Sequence, residues 1–131
     1  MLKLITWFGL SFLSFLAIDM VWLGYIAKGL YQREIGQLLG PVNWGAAFLF
    51  YIIYVAGVMY FAVNPNLGAS NLKIFVTGGL LGALCYATYD LTNLATLKDF
   101  SAMIVPIDIA WGFVLTGLVA LASSKIHALI Y

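Results

Sequence analysis

Residues 74–97 read IFVTGGLLGALCYATYDLTNLATL, and the fold turns on this stretch. It holds one acidic residue, Asp90, and no basic one. As a helix rising 1.5 Å per residue it is about 36 Å long, enough to cross roughly 30 Å of hydrocarbon. Three further runs of similar character lie at 4–27, 42–63 and 102–123. In lipid every backbone N–H and C=O must be paired within the chain, which leaves helices or a closed barrel. A barrel needs short strands of alternating polarity, and these runs are unbroken. The links at 28–41, at 64–73 with its NPN and GASN turn signals, and at Lys98-Asp99-Phe100-Ser101 are polar and short. Short links force antiparallel neighbours. The sequence therefore predicts an all-α, integral-membrane, up-down four-helix bundle, a single transmembrane domain over residues 1–131.

Composition agrees. Of 131 residues 64% are hydrophobic and 8% charged, against roughly 25% charged in an ordinary soluble domain. A net charge of +1 offers no basic field, so nucleic acid is excluded as a partner. The lone Cys85 rules out an intramolecular disulfide and reads as packing. The lone His127 rules out a histidine-based metal cluster or two-histidine haem site and reads as interfacial. No metal and no cofactor are expected. The first run follows Lys3 as a signal peptide would, but it continues to Ala27 without a small-x-small cleavage site and reads as a span.

In the first link Tyr31, Ile35, Leu38 and Leu39 fall on one helical stripe, with Gln32, Arg33 and Gln37 opposite. That pattern predicts a short interfacial helix between spans one and two. Gly78 and Gly82 are a small-xxx-small pair that lets another helix approach closely, within the chain or from a second copy. Lys3, Lys73 and Lys125 share one side of the membrane with both termini; Lys28, Arg33 and Lys98 share the other. The positive residues tie. Glu34 and Asp99 make the second side less positive, which favours cytoplasmic termini.

Three of the five acidic residues, Asp19, Asp90 and Asp108, fall within spans. Each costs roughly 2.5 to 3.5 kcal/mol near the middle of a bilayer. Spans one and three run one way and span four runs back, so all three lie roughly 9 to 12 Å below the surface that carries the first link. Trp22 is one turn from Asp19, with Ser11 deeper, and Trp111 is one turn from Asp108. Tyr86, Tyr89, Asp90, Asn93 and Thr96 fall on one face of the third span. Asn43 and Trp44 open the second span at the same surface. These residues describe a polar, aromatic-lined pocket near one face of the membrane, with the interior apolar toward the termini. Lys28 and Lys98 are the nearest cations and have the length to snorkel toward it. The plain alternative is that the aspartates only hydrogen-bond indoles, hydroxyls and helix ends. Pro106 either kinks the fourth span or sits harmlessly in its first turn.

The motifs Asp19-x-x-Trp22-Leu-Gly, Tyr89-Asp90-Leu-Thr-Asn93-Leu-Ala-Thr96-Leu-Lys98-Asp99 and Asp108-Ile-Ala-Trp111-Gly112 resemble a bacterial family of predicted membrane proteins known only as domain of unknown function 2177. The resemblance covers essentially the whole chain. It implies an inner-membrane protein and supplies no reaction, so whether the chain is an enzyme stays open. Three functions compete. The first is a site that binds, and in one version modifies, a lipid or small amphiphile, with membrane lipids as partners. The second is a proton-coupled transporter working as a homo-oligomer. The third is an accessory subunit that meets a partner protein through the Gly78 and Gly82 face. A divalent-cation enzyme is a narrower version of the first, and the chain lacks the longer aspartate-rich motif of the known prenyl- and alcohol-phosphotransferases.

Overall fold

A computed structural model describes residues 1–131; it is 84% helical and has no strands. Four helices are long and apolar enough to cross a membrane: Leu2–Ile26, Trp44–Asn66, Asn71–Thr96 and Ile104–Ile130. The first is α1 (Leu2–Val21), prolonged by a π-helical turn at Trp22–Ile26. The link after it folds as α2 (Leu30–Ile35), entered through Gly29 at φ 85°, a left-handed conformation that glycine adopts without strain. The second span is α3 (Trp44–Val58), which continues through a π-helical turn at Met59–Val63 and a tight turn at Asn64–Asn66. Then come α4 (Asn71–Thr96) and α5 (Ile104–Ile130).

Side chains at the helix ends explain the boundaries. The Asn43 carboxamide accepts the Ala46 N–H at 3.1 Å, and the Ser70 hydroxyl accepts the Lys73 N–H at 3.3 Å, each satisfying a donor that the first turn leaves free. Pro106 is the third residue of α5. In the first turn its missing N–H breaks no helical bond, so the harmless alternative holds and α5 continues unbroken to Ile130.

The interface between α4 and α5 is built on residues four apart. Reading down α4, Gly78 sits against Ala120 and Thr116, Gly82 against Gly112 and Thr116, and Tyr86 over Gly112. The matching residues of α5 are also four apart, so ridge packs on ridge in an antiparallel register. Asp90 and Asp108 form the next rung, and they are neighbours. On the flank, rings cover glycines: Phe113 lies over Gly79 and Phe75 over Gly117. The close approach that Gly78 and Gly82 permit is thus used within the chain.

The other spans gather round α5, the most enclosed of the four. Phe15 of α1, Val55 and Val58 of α3, and Leu115 and Val119 of α5 make a tightly closed centre. A second cluster of Ile35, Phe100, Ile104 and Val105 fastens α2 to the start of α5. The half nearer the termini is less apolar than expected. The Trp7 indole donates to the Ser123 carbonyl at 2.9 Å and its hydroxyl at 3.0 Å, and Ser11 meets the same hydroxyl at 2.7 Å. Trp7 lies twelve residues from Asp19 and Ser123 fifteen from Asp108, so this is a separate polar cluster toward the other end of the bundle. His127 stacks on Tyr131 and meets Trp7 edge to face at this end.

Candidate functional site

A cavity of about 340 Å³ opens into the half of the bundle that carries α2. Five stretches of chain line it. From α1 and its π-helical turn come Phe15, Asp19, Trp22 and Leu23; Tyr31 comes from α2. Ala47, Phe50, Tyr51 and Tyr54 come from α3, Cys85, Tyr86 and Tyr89 from α4, and Asp108 and Trp111 from α5. The π-helical turn matters here, because widening the last turn of a span re-aims the residues beyond it, and such turns recur at functional sites.

The wall is a stacked pair: the Trp22 and Trp111 rings lie 4.5 Å apart and within 7° of parallel. Their indole N–H groups serve different carboxylates. Trp22 donates to the Tyr31 hydroxyl at 2.9 Å, and that hydroxyl donates to Asp108 at 2.5 Å. Trp111 reaches Asp19 at 3.4 Å, a long contact that leaves the carboxylate weakly satisfied. At the floor the Tyr54 and Thr116 hydroxyls meet at 2.6 Å. Below them the closed apolar centre begins.

Helix α2 forms the roof. Its expected stripe splits: Tyr31 and Ile35 turn inward, while Leu38 and Leu39 stay exposed. Ser101 donates to Glu34 at 2.7 Å and Gln37 donates to the Asp99 carbonyl at 2.8 Å, so the C-terminal end of the roof is tied to the α4–α5 turn. Ser101, with Arg33 beside it, holds the Glu34 carboxyl below the usual carboxylate range. Burial, then the adjoining Asp108, raises the Tyr31 phenol well above its ordinary value, so it remains a donor at physiological pH. Replacing Tyr31 with Phe removes that donor and leaves the Trp22 N–H without its acceptor. We expect a loss of about 1 kcal/mol, since water in the open cavity restores part of the bonding. A red shift in tryptophan emission as the Trp22–Trp111 stack loosens should accompany it.

Of the nine residues singled out from sequence, Asp19, Trp22, Tyr86, Tyr89, Asp108 and Trp111 line this cavity. Asp90 does not. It is fully buried between α4 and α5 beside Asp108, and neither of its oxygens has a hydrogen-bond partner. Asn93 lies beyond it, next to Tyr89. Thr96 is exposed and donates to the Thr92 carbonyl at 2.8 Å, within its own helix. Tyr31, Tyr51 and Tyr54 are added to the set, and Cys85, read as packing, lies half-buried on the cavity wall.

Lys28 and Lys98 are exposed, and the chain's one ion pair joins Arg33 to Glu34. No three Asp, Glu, His or Cys side chains come together as a metal would require. The cavity is open sideways. Helix α4 packs on the second span at Met59–Val63, and the two part toward Trp44. Phe50 and Tyr89, each about half exposed, stand on the two edges of the gap.

A family model described as "Predicted membrane protein (DUF2177)" matches residues 4–125 of the chain. No curated protein and no solved structure gives a significant match.

Proposed function

The chain belongs to this DUF2177 family of predicted membrane proteins, and we propose that it binds a lipid or small amphiphile in the cavity beneath α2. The observation that carries this reading is the shape of the site. Two carboxylates and a set of aromatic rings line it, and the side gap between α3 and α4 faces where acyl chains would be. A volume of about 340 Å³ falls within the range of small-molecule pockets, roughly 300 to 1,000 Å³. A head group would enter laterally and meet Asp19 and Asp108, while its chain stays between Phe50 and Tyr89. If the bound molecule is also modified, Asp108 is the group best placed to exchange a proton with it, because Tyr31 and Trp22 hold it in one orientation.

The transporter reading has less support. Below Tyr54 and Thr116 the interior is filled by Val55, Val58, Leu115 and Val119, each 0–1% exposed, so one chain offers no polar route to the far side. We place the protein in the inner membrane, with Lys3, Lys73, Lys125 and both termini on the cytoplasmic side. Labelling of single cysteines placed at Lys28 and Lys73 by an impermeant reagent tests that orientation.

The binding test is native mass spectrometry of the chain extracted in mild detergent. Wild type should carry an amphiphile adduct, and Ala47→Trp, which fills the cavity from α3, should lose it by at least about tenfold at unchanged helix content. An adduct that survives Ala47→Trp would put the bound molecule elsewhere and end this reading.

A further inference from the structure

We infer that the amphiphile taken by this cavity carries a positively charged ammonium head. The inference rests on the binding reading above and adds the chemistry of the ligand. Its basis is a charge that the protein leaves uncompensated. Asp19 and Asp108 line the cavity, and no Lys, Arg or His lines it with them. The lysines nearest in sequence, Lys28 and Lys98, are exposed, and the single ion pair of the chain lies outside, on α2. Carboxylates withdrawn from water are costly unless they are paired or fully hydrogen-bonded. Tyr31 supplies one short bond to Asp108, and Asp19 has only the 3.4 Å contact from Trp111. Asp90 lies fully buried behind Asp108 and brings no cation to this end.

The rest of the wall matches the same ligand. Aromatic faces carry negative potential and attract a cation within about 6 Å of the ring centre. The Trp22–Trp111 stack is joined to both carboxylates, to Asp108 through Tyr31 and to Asp19 directly, and Tyr54 and Tyr86 line the same cavity. An ammonium group would complete the ion pairing that the chain lacks and exploit the rings that surround it. A phosphate or carboxylate head would instead meet two like charges. A zwitterionic phospholipid would bring its phosphate against the same groups, so a simple long-chain amine or quaternary ammonium fits best.

The test compares three probes of one chain length on the intact chain in a maltoside detergent: decyltrimethylammonium, its uncharged tert-butyl isostere and decyl sulfate. Binding is read by quenching of tryptophan fluorescence. The cation should saturate the signal with at least about tenfold higher affinity than the neutral probe, and decyl sulfate should not saturate it. Asp19→Asn and Trp111→Leu should each narrow the gap between cation and neutral probe. The wild-type comparison needs no variant and stands even if one of these fails to fold. Equal binding of cation and neutral probe, both lost in Ala47→Trp, would overturn the inference and leave the lipid pocket standing. Preference for the sulfate would overturn it as well. Absence of saturable binding by every probe would remove both readings together. Tetramethylammonium, which has no tail, should bind weakly; equal affinity would show that the ligand is a free cation and overturn the amphiphile assignment.

Discussion

Gly82→Leu should prevent the bundle from forming. A Cβ at this position would stand 2.0 Å from the Gly112 carbonyl oxygen and 2.3 Å from the Thr116 hydroxyl. A flexible side chain could swing away from such a clash, but a helix carbonyl cannot. The whole of α5 would have to move back, and with it the register that places Tyr86 over Gly112 and Asp90 beside Asp108. Ordinary overpacking costs about 1 to 3 kcal/mol, and a backbone obstacle raises the cost beyond that, against a total stability on the order of 5 to 15 kcal/mol. The expected result is aggregated or degraded protein, with no monodisperse peak after extraction in detergent. Gly57→Ala is the control, because nothing lies within 4 Å of the Cβ it adds. Exchanging glycine for alanine inside a helix favours folding by roughly 0.5 to 1 kcal/mol. If Gly82→Leu behaved like that control, the rung-by-rung pairing of α4 with α5 would be wrong.

That pairing also explains which parts of the site could be read from sequence. Runs of apolar residues show the spans, because the membrane imposes a length and forbids unpaired backbone. Asp19, Trp22, Asp108 and Trp111 were legible because a polar group in such a run stands out and its depth can be counted. Face assignment degrades with distance along the helix. Thr96 lies six residues past Asp90, about 600° of rotation, which leaves it about 120° away from the aspartate. Asp90 shares a helical face with Tyr86 and Tyr89, yet it continues the four-residue spacing of Gly78, Gly82 and Tyr86 and so follows that ridge into the α5 interface. Tyr51 and Tyr54 went unmarked because α3 is apolar on every side and carries no charge to orient it. Tyr31 was visible only as part of an amphipathic stripe. Nothing local shows that its hydroxyl turns inward to join Trp22 and Asp108, which are 9 and 77 residues away in sequence.

Asp90→Asn should stabilise the protein. The carboxylate is fully buried, has no hydrogen-bond donor, and faces Asp108 across the helix interface. An unpaired buried polar atom costs about 1 to 3 kcal/mol, more when it is charged. Asparagine has nearly the same shape and supplies an N–H₂ group that can donate to Asp108 whichever of the two carboxyls holds a proton. We expect a gain of about 1 kcal/mol at neutral pH, read as a rise in the thermal midpoint in detergent. Asp108→Asn differs, since it would exchange the charge-assisted bond from Tyr31 for a neutral one and should not stabilise to the same degree. An Asp90→Asn variant that is less stable than wild type would show instead that Asp90 shares a proton with Asp108 and that the pair holds the two helices together.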